Sequence, residues 1–464
     1  MWIEIERDHS LPLSWQLHLQ LKEKILKGMI VGGQRLPSTR SMAEQLGISR
    51  NTVVEVYEQM TAEGYLKTKA GAGTYVVEGI LMDNFRLEKP PIISAREDEN
   101  KKEYIDFRSG FPALSSFPRV AWSKVAKEVY ESCADDLFGY QEPQGSEELR
   151  KVVAAYLYRT RGIECAPANI VITSGATQAF QLVANAIIEP GKMVYVEDPI
   201  TKEIPEILSC TGGIIHPIAV DKDGLTTNSL PRNNRQTIVS VTPSHHFPLG
   251  AILSAHRRIE LIRFSEETDS MIVEDDYDSE FRYNGMPVSA LYSLAPQRVV
   301  YIGTFSKILS PALRIGYVIM PKHLINNALQ VKRYLDYHSP ILNQVILAQF
   351  IAKGHLEKHV NKMRKLYKGN RELLLSNLQK NFPKVRIIGS SSGLHFTAAF
   401  PGVEFNDKLL RLIKENGILI QGVEKHAINK GRYANQLIFG YGNCNEIEIK
   451  RGVTLLREIL EGKV

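Results

Sequence analysis

Cysteine is scarce and scattered: Cys133, Cys165, Cys210 and Cys444 are the four in 464 residues, and no two stand in a C-x-x-C spacing. That pattern suits reduced thiols and excludes a cysteine-built metal site. Long apolar runs are missing too, so no stretch reaches the length a membrane-crossing helix needs. The start, Met1-Trp2-Ile3-Glu4-Ile5-Glu6-Arg7-Asp8, alternates apolar and charged residues and lacks the basic head and apolar middle of a secretory signal, so a cytoplasmic protein is expected. Low-complexity tracts and internal repeats are absent. Charge of one sign is in small excess: the net is +6, and residues 1–78 hold nine Lys and Arg against nine Asp and Glu. Bulk charge therefore does not announce nucleic acid, and any phosphate contact must come from local placement. With 44% hydrophobic and 23% charged residues, the composition is that of a soluble globular protein, long enough for two or three domains.

What is present begins with a helical pattern. Leu17, Leu21 and Ile25 recur at helical steps, joined by Trp15, Leu19 and Leu26, and Gly28 stops the run. Leu36-Pro37-Ser38 offers an extended approach and a serine cap to a short helix, Thr39 to Leu46, which Gly47 ends; Ser49 caps the next. This spacing is helix, tight turn, helix. In that arrangement Ser49, Arg50, Asn51 and Thr52, at the start of the second helix, would face bases or phosphates, while Val53, Val56, Tyr57 and Met60 pack inward and Arg40 lies near a backbone phosphate. A hairpin follows, Leu66 to Lys69 and Thr74 to Val77. Its lysines Lys67 and Lys69, with Gly71 and Gly73 in a small tip, can lie against a sugar-phosphate backbone. Residues 1–78 are thus expected to form a winged helix-turn-helix that binds double-stranded DNA. Residues 79–103, with Pro90-Pro91 and the charged run from Arg96 to Glu103, read as a tether.

From residue 104 to 464 strands and helices alternate, which predicts a parallel sheet covered by helices. Asn169 to Thr173 is a strand, and the turn Ser174-Gly175-Ala176-Thr177 leads into the helix Gln178 to Ile188. Backbone N–H groups of Gly175, Ala176 and Thr177 would then be free at a helix start, a seat for phosphate. Met271 to Glu274 is a second strand, with Asp275, Asp276 and Tyr277 at its carboxyl end. Tyr301 to Gly303 is a third, leading to Thr304, Ser306 and Lys307, with Arg314 after Pro311-Ala312-Leu313. Open α/β sheets bind ligands at such carboxyl ends. A lysine amine, a carboxylate, and an arginine with hydroxyls are the parts of a pyridoxal phosphate site. The amine holds the aldehyde, the acid keeps the ring nitrogen protonated, and the arginine binds the phosphate.

The run Arg-Leu-Pro-Ser-x-Arg, Leu-Gly-Ile-Ser-Arg-Asn-Thr-Val and Glu-Gly-Tyr-Leu resembles the GntR-type winged helix. Around Lys307, Thr-Phe-Ser-Lys-x-Leu-x-Pro-x-Leu-Arg-Ile-Gly-Tyr resembles a fold-type I aminotransferase. Together they span nearly the whole chain and resemble the MocR/GabR-type bacterial regulators. The resemblance implies that Lys307 forms the Schiff base, an internal aldimine. It gives Asp275 the pyridine nitrogen, with Asp276 in reserve, Tyr277 the O3′ oxygen, and Thr304, Ser306 and Arg314 the phosphate. It also implies a homodimer that senses an amine, an amino acid or a related small molecule. The alternatives are a working aminotransferase with a DNA-binding appendage and a regulator whose large domain has lost its cofactor. Departures from the enzyme pattern favour sensing with little or no turnover. Phe247 stands where enzymes of this kind carry an O3′-binding asparagine, leaving His246 or Tyr277 to compensate. Thr201 replaces a ring-contacting tyrosine, and the segment Leu437 to Tyr441 lacks the carboxylate-binding arginine, which leaves Arg432 as the effector-binding candidate.

Overall fold

The computed structural model describes residues 3–8, 11–82, 104–283 and 288–462. Two compact units divide at Lys101 and Lys102, and most of the expected tether, residues 83–103, lies outside the described residues.

In the first unit α1 (Leu13–Leu26), α2 (Thr39–Leu46) and α3 (Arg50–Ala62) surround one apolar cluster, and β1 (Leu66–Lys69) and β2 (Gly73–Val76) form an antiparallel hairpin. Leu17, Leu21 and Ile25 are buried at helical spacing, as are Val53, Val56, Tyr57 and Met60. Trp15, expected on the apolar face, is instead half exposed: it lies two residues from Leu17, which turns it away from the stripe. Two serines set the helix-turn-helix. Ser38 Oγ accepts the Ser41 N–H at 3.2 Å and Ser49 Oγ accepts the Thr52 N–H at 3.1 Å, while Gly47 closes α2 with a left-handed φ of 63°. Ser49→Ala should therefore cost about 1 kcal/mol of local stability, read as faster hydrogen exchange along α3 with the second unit unchanged. β2 starts one residue earlier than expected, because Gly73 pairs with Lys69 in the ladder.

The second unit opens with β3 (Ile105–Asp106), paired with a short strand at Ile418–Leu419, and continues through α4 (Arg119–Ser132) and α5 (Glu147–Arg161). Its main sheet has eight strands: β4 (Ile170–Thr173), β5 (Met193–Asp198), β6 (Ile214–Asp221), β7 (Gly224–Leu225), β8 (Ile238–Val241), β9 (Met271–Asp276), β10 (Val299–Thr304) and β11 (Gly316–Ile319). Their order is β4-β11-β10-β9-β8-β5-β6-β7. The centre, β10-β9-β8-β5-β6, is parallel as expected, whereas β11 runs antiparallel to both β10 and β4. Only a short connection joins β10 to β11, and a parallel return would need a longer crossover. Side chains on one face, such as Ile272 and Tyr301, join the larger core; those on the other, such as Val273 and Ile302, pack with α6 (Ala176–Ile187) in a second core. No helix among the described residues is long and apolar enough to cross a membrane.

Candidate functional site

β9 and β10 lie side by side in parallel register, Asp275 opposite Ile302, and both end at the same edge of the sheet. Lys307 follows β10 by one turn, in which the Ser306 N–H donates to Thr304 Oγ1 at 3.1 Å; Thr304 and Ser306 are buried. Lys307 Nζ donates to the Gly110 carbonyl at 2.8 Å. Burial lowers the proton affinity of this amine, with the Asp278 and Asp275 charges working against that trend. The outcome is an amine closer to its nucleophilic neutral form than a surface lysine.

Strand parity separates the two acids. Side chains alternate faces along β9, so Asp275 shares the face of Val273 and Asp276 that of Ile272. Asp276 is consumed within the fold: Arg161 meets its Oδ2 at 2.7 Å and the Tyr301 hydroxyl donates to the same oxygen at 2.6 Å. Asp275 differs, because its Oδ1 is buried without a hydrogen-bond partner. Its carboxyl is pushed up to about 7 by burial, then by Asp276 and Asp278, with Lys307 opposing. A buried acid oxygen with no partner costs free energy unless a donor arrives.

The expected phosphate seat is a cup of backbone. Gly175, at φ 97° and ψ 175°, precedes the first helical residues Ala176 and Thr177, and the Ser174 N–H donates to Gln178 Oε1 at 2.7 Å. A Cβ on Gly175 would stand 3.2 Å from Arg314 Nη1, so glycine lets this guanidinium lie against the helix start. Arg314 itself has a left-handed φ of 53° and follows a short 3₁₀ turn at Pro311–Leu313. A positive helix end and a guanidinium converge there, a fitting seat for a dianion.

Tyr277 donates its hydroxyl to the His245 carbonyl at 2.9 Å and lies 3.2 Å from His245 Nδ1. Burial and the Asp278 charge hold its proton affinity well above that of a free phenol. His245, Asp278 and His395 bring potential ligand atoms within 4.8 Å of one another. Asp278 is committed to His245 Nδ1 at 3.1 Å and to the Leu394 N–H, and His395 Nε2 to the Pro248 carbonyl, so the cluster reads as support beneath Tyr277. The Phe247 ring sits between the rings of His395 and His426, with centroids 5.1 and 4.9 Å away. His246, the other candidate to compensate for Phe247, is buried with Nε2 unpartnered and 3.8 Å from Glu197. Burial and His245 lower its pKa to about 3, so it is neutral there.

Arg432 is exposed. Its loop is pinned by Asp198, which accepts from the Ile428 and Asn429 N–H groups, and by Glu424, which accepts from Gly431 and Tyr433. Gly110, Asp278, His245 and Arg161 also serve the site and carry no local mark in the sequence. Each acts through a partner remote in the chain, and the available local signal, the period of two along β9, was enough only to set Asp275 and Asp276 on opposite faces.

On the first unit Arg50 and Asn51 are exposed at the start of α3, Arg50 Nε lying 3.5 Å from Thr39 Oγ1. The Ser49 and Thr52 hydroxyls bond each other at 2.8 Å within the cap, so their oxygens are already engaged. Arg40 is exposed beside Glu44. Lys67 lies 3.9 Å from Glu78, Lys69 packs over the Tyr75 ring, and Gly71 at the hairpin tip has φ 72°. A Cβ on Gly73 would stand 2.7 Å from Arg35 Nε. A helix start with an exposed basic residue, in a unit with a basic hairpin, can meet a major groove and its flanking backbone.

Comparison with known proteins agrees with both halves. Residues 102–432 match the family described as aminotransferase class I and II, and residues 13–76 match the bacterial regulatory proteins of the gntR family. The uncharacterized HTH-type transcriptional regulator YdeL of Bacillus subtilis is 34% identical over 98% of both chains. The probable rhizopine catabolism regulatory protein MocR of Rhizobium meliloti is 30% identical over 98% of this chain and 94% of its own. Among solved structures, the Pyrococcus horikoshii kynurenine aminotransferase, in complex with PMP, superposes with a TM-score of 0.72 at 26% identity, covering 78% of this chain and 92% of that one. The chain thus belongs to the HTH-type transcriptional regulators that join a GntR helix-turn-helix to a class I and II aminotransferase domain.

Proposed function

We propose that this regulator binds operator DNA through residues 1–78 and responds to a small amine or amino acid through pyridoxal phosphate held by residues 104–464, acting as a cytoplasmic homodimer. The observation that carries the reading is the unpartnered, buried Asp275 Oδ1 at the same sheet edge as the part-buried Lys307. The residues fit the cofactor: Gly175, Ala176, Thr177, Thr304, Ser306 and Arg314 would hold the phosphate, Asp275 would meet the ring nitrogen, Tyr277 the ring hydroxyl, and Lys307 the aldehyde. When bound, the group supplies an electrophilic carbon that amines can attack, on a ring that withdraws electrons. The chain's own part is to keep Lys307 able to lose its proton, to offer the Asp275 carboxylate as an acceptor for the ring N–H, and to exclude water by burial. Phe247 offers no hydrogen-bond donor where an enzyme would place one, which weakens the case for turnover.

Signalling requires that the effector bind two arrangements of the protein with different affinity. Titrating the purified chain with a panel of amines, read by visible absorption and by gel shift, should find a compound that changes both. A spectrum that responds while operator affinity and DNA bend never do would contradict the sensing scheme. Steady keto-acid formation would instead favour the aminotransferase reading, which the retained Lys307, Asp275 and Arg314 motivate.

A further inference from the structure

The acid that does not face Lys307 is built as carefully as the one that does. Arg161, the last residue of α5, is buried and points its Nη2 at Asp276 Oδ2, 2.7 Å away, and at Ser244 Oγ, 2.8 Å away, while its Nε has no partner. The Tyr301 hydroxyl on β10 donates to the same carboxylate oxygen at 2.6 Å. Burial opposes the charge on Arg161, and Asp276, Tyr301 and Glu274 outweigh that and keep it protonated. A helix carboxyl end favours a cation there as well. A buried ion pair of this kind is weak evidence for stability, since apolar replacements often serve as well. Its position, one residue from Asp275 on the same strand, suggests a different use.

We propose that Arg161 is a positioning residue for Asp275: by neutralising Asp276 on the opposite face of β9, it leaves Asp275 to set the charge met by the cofactor ring. The inference rests on the reading that Asp275 meets the ring nitrogen. The charged and titratable groups that face Asp275 or the pair are Glu274, Asp276, Tyr277 and Asp278 on the acid strand and its turn, Glu197 near the end of β5, Tyr301 on β10, Lys307 after it, Tyr317 on β11, Glu280, and Arg258 on the helix Ala255–Glu267. Arg161 and Asp276 are the two whose charges cancel at contact distance.

The test uses the full chain loaded with pyridoxal phosphate and compares Arg161→Met, Asp276→Asn, the double variant and Arg161→Lys. The readouts are the pH midpoint of the bound cofactor's visible band, cofactor affinity and thermal melting. Arg161→Met leaves a bare carboxylate beside Asp275, which favours protons at the cofactor, so the midpoint should rise by on the order of one pH unit. Asp276→Asn leaves a bare guanidinium and should lower it by a similar amount. The double variant and Arg161→Lys should stay close to the parent. Melting and affinity that fall together while all midpoints stay fixed would mark the pair as merely structural and overturn the proposal. Should a single variant not fold, the double variant and Arg161→Lys decide, and a shifted midpoint in either overturns it. An Asp275→Asn protein with parental affinity and midpoint would sink the underlying reading of Asp275 instead.

Discussion

Lys307→Ala should lose the covalent cofactor entirely while leaving the chain folded. The side chain makes one hydrogen bond, to the Gly110 carbonyl at 2.8 Å, and a bond of this type contributes about 1 kcal/mol net, so melting should shift by only a few degrees. Pyridoxal phosphate can still rest in the cup formed by Gly175, Ala176, Thr177 and Arg314, held by its dianion. Dialysis should then remove it, where the parent retains it. Absorption should match the free aldehyde, and amines should no longer change the operator gel shift. The expected effect is complete loss of a signal. Retention of the parent spectrum would mean that another lysine carries the group.

The second large effect belongs to the other unit. Arg50→Ala removes the exposed guanidinium at the first residue of α3, whose one hydrogen bond within the unit is a 3.5 Å contact to Thr39 Oγ1. A base or phosphate contact of this kind contributes about 1–3 kcal/mol, so operator affinity should fall roughly 5- to 150-fold while the cofactor spectrum stays unchanged. Salt dependence tells the two contacts apart. An unchanged slope with relaxed sequence preference identifies a base contact, and a slope smaller by about one identifies a phosphate contact. Unaltered affinity at every salt concentration would remove Arg50 from the interface.

Local signals carried much of this molecule. Ser38 and Ser49 cap the helices they were expected to cap, because capping is chemistry between residues three apart. α2 spans Thr39–Leu46 as read, and the glycine after it has the positive φ that its place demands. The apolar runs Met271 to Glu274 and Tyr301 to Gly303 mark two strands that are each longer in the structure, Met271–Asp276 and Val299–Thr304, because ladder pairing carries them past the apolar residues. What was not legible is the set of partners brought in by topology. Gly110 reaches Lys307 and Arg161 reaches Asp276 across long sequence separations. Antiparallel β11 follows from a short return that strand patterning alone does not reveal, and Trp15 counts as apolar in any periodicity yet lies outside the core. The Ser49–Thr52 hydroxyl pair shows the converse: two residues suited to DNA contact already satisfy each other.

One part-buried amine, that of Lys307, is proposed to hold the cofactor. Borohydride treatment of the pyridoxal phosphate-loaded chain, followed by peptide mass mapping, tests it most directly. The account predicts a phosphopyridoxyl group on the peptide containing Lys307 at near-stoichiometric yield. A loaded protein in which Lys307 stays unmodified, or in which the label spreads over surface lysines, would contradict it.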